Sequence, residues 1–161
     1  MAAALSESSE RVLVISRVID APRALVFRMW TDPAHVARWW GPQGFVTTFC
    51  EMDIRVGGAF RQCMRSPQGT DYWKRGVYRE ITPPERIVFT FAWEDANGQP
   101  GHELLTTVSF EEHGEQTRMT LRQEKFATKD RCDDHREGWA SCFERFAAYV
   151  ESIEQGGEHR C

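Results

Sequence analysis

The sequence predicts an α+β fold in which a curved antiparallel sheet of about seven strands wraps around a long C-terminal helix. Short segments rich in β-branched and aromatic residues follow one another through the middle of the chain, separated by turn residues. Two short helical segments follow the first strand, and a long amphipathic segment closes the chain. The length of 161 residues suits one domain with a single core. We place this domain at residues 11–154 and expect the small and polar tails, 1–10 and 155–161, to be flexible.

The first elements are one strand and two short helices. β-branched residues predict a strand over Val12–Ile19, and Pro22 suits the first turn of a helix that covers Ala24–Thr31. Thr31 or Asp32 can then cap a second short helix, because Thr and Asp both suit that position and Pro33 is tolerated at the first helical position. This helix ends at Trp39-Trp40-Gly41-Pro42, where Gly and Pro fix the point at which the chain turns.

Six further strands follow, each bounded by turn residues such as Asn97-Gly98. Alternating apolar residues mark several of them, as expected for strands with one buried face. Tight turns between consecutive strands imply antiparallel pairing. The predicted segments are Phe45–Ile54, Ala59–Arg65, Tyr72–Ile81, Arg86–Trp93, Leu104–Phe110 and Thr117–Phe126.

The last element is a long helix, predicted over Asp133–Glu154 with Gly156-Gly157 as its end. Its apolar residues recur at spacings of three or four and form one stripe that must be buried on the sheet. They are Trp139, Phe143, Phe146, Val150 and Ile153. A twisted sheet that curls around such a helix is the helix-grip arrangement, which tends to leave a cavity between the sheet and the helix.

Composition and charge exclude several classes of protein. The net charge of −4 offers no concentrated basic face for nucleic acid. A mildly basic stretch is expected to be a solvated surface; it comprises Arg61, Arg65, Lys74, Arg75 and Arg79. No apolar run approaches the roughly 18 residues of a membrane span, so no membrane insertion is expected. Five irregularly spaced cysteines without a Cys-x-x-Cys pair favour a reduced, cytoplasmic protein with free thiols.

An ordered set of short motifs resembles a known family. The motifs are Ala21-Pro22, Val26-Phe27, Thr31-Asp32-Pro33, Trp39-Trp40-Gly41-Pro42, Arg55-Val56-Gly57-Gly58, Gly76, Glu80-Ile81-Thr82-Pro83, Ile87-Val88-Phe89-Thr90 and Gly138-Trp139. This set resembles the family related to the C-terminal domain of the activator of the heat-shock protein 90 ATPase, within the START/SRPBCC helix-grip superfamily. The resemblance implies a helix-grip fold and the binding of a small, mainly hydrophobic molecule. It also implies two alternatives: a cyclase- or hydrolase-like enzyme, or a chaperone-related interaction module.

Aromatic residues supply most of the candidate pocket lining. Trp39 and Trp40 are neighbours on a helix and point in different directions, so at least one of them is expected to pack in the core. Phe60, Gln62 and Met64 alternate along one strand and either face inward or face solvent. The full set of candidate lining residues is Trp30, Trp39, Trp40, Gln62, Met64, Tyr78, Phe91, Trp93, Trp139 and Phe143.

A catalytic apparatus is less well supported than a binding cavity, and we expect that the protein is not an enzyme. The enzyme alternative would need a polar constellation inside the cavity; the candidates are Gln62, Tyr78, His102, Glu103 and Gln123. Glu51 and Asp53 fall on one face of a strand, where a solvated edge is the expected reading. Cys132 and His135 superficially resemble metal ligands, but no further ligand stands at a supporting spacing. We therefore expect no metal and no cofactor.

Overall fold

The computed structural model describes residues 11–159, and it has the predicted α+β helix-grip architecture. The helices are α1 (Arg23–Thr31), α2 (Pro33–Trp39) and α3 (Lys129–His159). The strands are β1 (Leu13–Ile19), β2 (Val46–Met52), β3 (Ala59–Arg65), β4 (Asp71–Thr82), β5 (Arg86–Trp93), β6 (Leu104–His113) and β7 (Gln116–Glu124). The predicted tail 1–10 and the last two residues of the tail 155–161 lie outside the described residues.

The seven strands form one antiparallel sheet in the order β1-β7-β6-β5-β4-β3-β2. The pairing register shifts between Thr47 and Phe49 in β2 and between Tyr78 and Glu80 in β4. Such irregularities bend a strand and increase its twist, which lets the sheet curl around α3. Gly76 in β4 has no room for a side chain, because a Cβ there would collide with the Thr90 carbonyl oxygen.

The two short helices are held by the interactions that the sequence indicates. The Asp32 carboxylate accepts a hydrogen bond from the Ala34 backbone N–H at 3.0 Å and so caps α2, with Pro33 at its first position. The indole N–H of Trp39 donates to the Met29 carbonyl oxygen at 3.0 Å, which ties the end of α2 to α1. Trp39 is fully buried and Trp40 is 7% exposed, so both tryptophans of the adjacent pair are buried.

Helix α3 begins one turn earlier than predicted and continues past its predicted end. The Thr128 hydroxyl accepts from the Arg131 backbone N–H at 3.2 Å and caps the start of the helix. Gly156-Gly157 does not stop the helix; glycine in a helix costs about 1 kcal/mol but does not forbid it. None of the helices in the described part of the chain is long and apolar enough to span a membrane.

The main core lies between the C-terminal half of α3, the short helices and the strands β1, β6 and β7. Phe143, Phe146 and Val150 on α3 are at most 1% exposed and face this core. Trp30 reaches in from α1, where its indole N–H points at the Met119 sulfur on β7. Helix α3 packs closely on β1, α1 and α2, and a cavity lies between its N-terminal half and β3–β5.

Candidate ligand-binding cavity

A cavity of about 580 Å³ lies between the N-terminal half of α3, strands β3–β5 and the segment that follows α2. This volume falls within the range of small-molecule sites. Apolar and aromatic side chains form most of the inner wall: Trp40, Phe45, Met64, Tyr72, Trp73, Phe91, Trp93 and Trp139. Exposed charged residues stand at the rim, among them Asp71, Asp95, Arg131 and Asp134. The cavity therefore combines an apolar interior with a polar mouth.

The segment that follows α2 is fixed to α3 by one arginine. The Arg145 guanidinium donates to the carbonyl oxygens of Trp40, Gly41 and Pro42 at 3.2, 3.4 and 3.2 Å. It also donates to the Arg38 carbonyl oxygen near the end of α2 at 3.3 Å. Because the last carbonyls of a helix lack partners within it, a cation placed there stabilises both the helix end and the turn. Arg145 thus holds Trp40 in the cavity wall.

A hydrogen-bond network orients two further indoles of the cavity wall, those of Trp93 and Trp139. The Trp93 indole N–H donates to Nε2 of His135 at 3.0 Å, so Nε2 is unprotonated and Nδ1 carries the proton. Nδ1–H donates to Oε1 of Gln123 at 2.8 Å, and the Trp139 indole N–H donates to the same oxygen at 3.1 Å. The Gln123 amide donates in turn to the Thr106 hydroxyl at 2.9 Å. The polar atoms of Trp93 and Trp139 are therefore satisfied within the protein, and their apolar faces are left to form the cavity wall.

Burial keeps His135 neutral. It lowers the pKa of His135 from 6.5 to about 4, and the positive charge of Arg131 acts in the same direction. A neutral imidazole is what the network requires, because a protonated ring could not accept from Trp93. The sequence alone suggests His135 only as a superficial metal ligand. Its spacing of four residues from Trp139, which puts both on one face of α3, is the signal that could have placed it in the cavity.

The rim carries a buried carboxylate that is fully paired. Glu94, which has a side chain only 1% exposed, receives hydrogen bonds from Arg61 at 2.8 Å and from Arg75 at 3.0 Å. The hydrogen bond from Arg61 lowers the pKa of Glu94, so this carboxylate stays ionised. The Arg61 guanidinium also lies 4.0 Å from the centre of the Trp73 ring. This cluster fixes the edges of β3, β4 and β5 at the cavity mouth.

Five of the ten candidate lining residues are brought together in this cavity: Trp40, Met64, Phe91, Trp93 and Trp139. Three others, Trp30, Gln62 and Tyr78, instead line a separate void of about 10 Å³, room for about one water molecule. Trp39 and Phe143 line neither space, because they are at most 1% exposed within the main core. Phe143 lies one turn after Trp139 on α3. At that turn the inward side of the helix contacts the closed core and not the cavity.

The alternating residues of β3, which the sequence leaves either inward or solvent-facing, face the interior. Phe60, Gln62 and Met64 are all buried, with exposures of 4%, 3% and 8%. The buried Gln62 Oε1 has no hydrogen-bond partner in the part of the chain that the structure describes. Its neighbour in register on β4 is Lys74, which the sequence analysis placed on a solvated basic face. That placement is wrong: Lys74 is fully buried. Its even-numbered spacing from Tyr78, a buried residue of the same strand, is the signal that could have corrected it.

The polar candidates for catalysis do not meet inside the cavity. Among them, Gln123 belongs to the His135 network, and Gln62 and Tyr78 line the small void. His102 is exposed and contacts the Lys125 carbonyl oxygen, and Glu103 is also exposed. Glu51 is exposed at the edge of the sheet. Asp53 lies beyond the end of β2 and pairs with Arg55 at 2.8 Å.

The described residues contain no cluster of side chains suited to bind a metal ion. Over residues 11–153, no group of three or more His, Cys, Asp or Glu side chains could hold a metal ion. Both ring nitrogens of His135 are already engaged by Trp93 and Gln123. Cys142 borders the cavity, and burial raises the pKa of its thiol to about 11, so it stays protonated.

The fold and the cavity together define a helix-grip protein in which a curved sheet and a long C-terminal helix surround a space of ligand size. The sequence profile of the Activator of Hsp90 ATPase homolog 1-like proteins matches residues 20–151, and the chain belongs to this family. No curated protein matches the sequence.

Solved structures agree with this assignment. A protein of Chromobacterium violaceum is 30% identical, with a TM-score of 0.80 over 88% of this chain and 97% of its own. A solution structure from Arthrobacter aurescens is 25% identical, with a TM-score of 0.82, covering 90% of this chain and 88% of its own. The AHSA1 protein of Silicibacter pomeroyi shares the fold at 24% identity and a TM-score of 0.81, covering 88% of this chain and 99% of its own.

Proposed function

We propose that the protein binds one small, mainly hydrophobic molecule in the cavity between α3 and β3–β5. The observation that carries this proposal is the aromatic wall of the cavity, in which the indole N–H groups are already paired within the protein. Trp93 and Trp139 have their N–H groups paired internally with His135 and Gln123 and turn aromatic surface toward the space. Aromatic rings that are already held in one orientation lose little conformational freedom when a ligand arrives.

Burial of apolar surface supplies the driving force. Removal of roughly 200 Å² of apolar ligand surface from water contributes on the order of 5 kcal/mol, which corresponds to a sub-millimolar Kd for a minimal probe. An aromatic molecule can also stack on, or meet edge-on, the indoles of the wall, which adds about 0.5–1.5 kcal/mol for each good contact. We therefore expect flat aromatic probes to bind better than polar molecules of the same size.

Gly138 offers a direct way to close the cavity. It lies on α3 in the cavity wall, and a Cβ built there meets no heavy atom within 4 Å. A glycine inside a helix can mark close approach to a neighbouring element, but the structure shows no such approach at Gly138. Open space lies next to Gly138 instead, so a large side chain can enter the cavity without a backbone clash.

The experiment compares Gly138→Phe with Glu137→Phe, both titrated with naphthylmethanol by ligand-detected saturation-transfer NMR. Glu137 is the adjacent residue of α3 and is exposed, so its variant adds the same ring outside the cavity. We expect wild type and Glu137→Phe to bind the probe alike and Gly138→Phe to lose at least about tenfold in affinity, because the new ring occupies the site. Equal binding by all three proteins would contradict the proposal.

A further inference from the structure

Lys74 is a buried amine that has no hydrogen-bond partner among the described residues. The residue is fully buried, and its Nζ makes no hydrogen bond in the part of the chain that the structure describes. Nζ lies 3.3 Å from the centre of the Trp40 ring and 5.9 Å from that of Phe91. Leaving an amine in such a place costs free energy, since a buried polar group without a hydrogen bond is unfavourable. A group retained at this cost calls for a functional explanation.

The amine lies directly behind the cavity wall. Trp40 and Phe91, the two rings closest to Nζ, both line the cavity, whereas Lys74 itself does not. The Trp40 indole therefore separates Nζ from the open space. Access to Nζ from the cavity requires the Trp40 side chain to rotate, and about 580 Å³ of open space borders that side chain. The backbone of Trp40 stays tethered by Arg145 during such a rotation.

The surroundings of Lys74 favour an uncharged, nucleophilic amine. Burial lowers the pKa of Lys74 well below 10.5 and outweighs the opposing effect of three nearby cysteine side chains, Cys50, Cys63 and Cys142. A neutral lysine in an apolar pocket is the form that attacks carbonyl carbons. A hydrophobic ligand can bring such a carbon to the end of the cavity.

We propose that the cavity accepts hydrophobic molecules that carry an aldehyde or ketone group and that Lys74 captures this group as an imine. The inference rests on the proposed function, because the same cavity must first hold the apolar part of the molecule. The Nζ lone pair forms a bond to the carbonyl carbon, and one N–H proton passes to the oxygen to give a carbinolamine. The carbinolamine loses its hydroxyl group together with the second N–H proton as water, which leaves a C=N bond. The step needs no oxidant or reductant.

The test uses naphthaldehyde as the probe, with cyanoborohydride present to reduce any imine to a stable amine, followed by peptide mapping. The chain supplies its own controls, since the other two lysines, Lys125 and Lys129, are exposed. Exposed lysines are almost fully protonated at neutral pH, so we expect labelling of Lys74 to exceed that of either by more than about tenfold. Naphthylmethanol, which lacks the carbonyl group, should compete and slow the labelling of Lys74 alone.

Two variants keep the result interpretable. Lys74→Met removes the amine while filling a similar volume, and Lys74→Arg keeps a cationic group that forms no imine. Both should lose the adduct at this position, and Lys74→Met should still bind naphthylmethanol. Labelling that is confined to the exposed amines, or absent, overturns the inference. If naphthylmethanol binds while Lys74 stays unlabelled, the proposed function stands and the imine fails; if neither probe binds, the proposed function fails as well.

Discussion

The indole N–H of Trp93 on β5 donates a hydrogen bond to Nε2 of His135 on α3, across 3.0 Å. This bond joins the sheet to the helix at the point where the two elements diverge around the cavity. It exists only while Nε2 is unprotonated, because a protonated imidazole presents two donors. The shape of the cavity wall is therefore linked to the protonation state of one histidine.

The first prediction is a loss of stability in acid. The pKa of His135 is about 4 in the folded protein and about 6.5 in the unfolded chain, so between these values the unfolded chain binds more protons. The free energy of unfolding therefore decreases as pH falls from about 6.5, and the loss is complete below about 4, with an upper limit of about 3 kcal/mol from this residue.

Denaturant titrations at a series of pH values between these limits measure this loss. His135→Gln, which does not titrate, should show a shallower dependence on pH than wild type. Identical slopes for the two proteins would show that His135 is protonated alike in the folded and unfolded states. Arg131 and Asp134 act on His135 through their charges and are unchanged in the comparison.

The second prediction concerns the two kinds of tryptophan. Trp139 is 6% exposed, borders the cavity and packs against Trp40 with ring centres 5.3 Å apart. Because one side of it is already open, we expect Trp139→Ala to cost about 3 kcal/mol, the lower end for a buried large aromatic. Trp39 is fully buried and should cost more, about 4–5 kcal/mol. Chemical denaturation compares the two, and a loss under about 1 kcal/mol for Trp139→Ala would contradict the packing described here.

The sequence predicts the fold more completely than it predicts the cavity. The spacing of Trp139, Phe143 and Phe146 predicted the inner face of α3 correctly, since burial follows helical periodicity. Periodicity does not tell where a helix leaves the sheet, so it could not assign Trp139 to the cavity and Phe143 to the core. That division depends on the curvature of the sheet, which arises from irregularities in β2 and β4 that no local pattern specifies.

The polar part of the site was harder to predict than the aromatic part. Lys74 stands among arginines in the sequence, and composition alone favoured a solvated face. Gln123 was considered as one of several unconnected polar residues, and its contacts with His135 and Trp139 join β7 to a helix that follows it in the chain. Contacts of this kind depend on how a helix is seated on a sheet.

The third prediction is that Lys74→Met stabilises the protein. The substitution removes a buried amine that has no hydrogen-bond partner among the described residues and keeps most of the apolar volume. We expect the free energy of unfolding at neutral pH to rise by about 1–3 kcal/mol, the penalty for an unpaired buried polar group. Lys125→Met serves as the control, because Lys125 is exposed and its variant should stay within about 0.5 kcal/mol of wild type. A destabilised Lys74→Met would mean that the amine is held by favourable contacts.

The fourth prediction contrasts two glycines. Gly138→Ala should stabilise the protein by up to about 1 kcal/mol, because alanine favours the helix and its Cβ meets open space. Gly76→Ala should be strongly destabilising, since its Cβ would collide with the Thr90 carbonyl oxygen and the Phe60 ring. Thermal and chemical denaturation of the two variants measure both effects. A loss of stability for Gly138→Ala would show that the helix does pack closely at that position.

The indole N–H signals of the six tryptophans provide the most direct test of ligand binding in the cavity, by two-dimensional NMR during a titration with naphthylmethanol. Trp40, Trp93 and Trp139 line the cavity, whereas Trp39 is sealed in the core with its N–H on the Met29 carbonyl oxygen. We expect saturable shifts for Trp40, Trp93 and Trp139, three of the four tryptophans that line the cavity, and none for Trp39, with the shifts lost in Gly138→Phe. No saturable shift at Trp40, Trp93 or Trp139 would contradict the central claim that this cavity is the binding site.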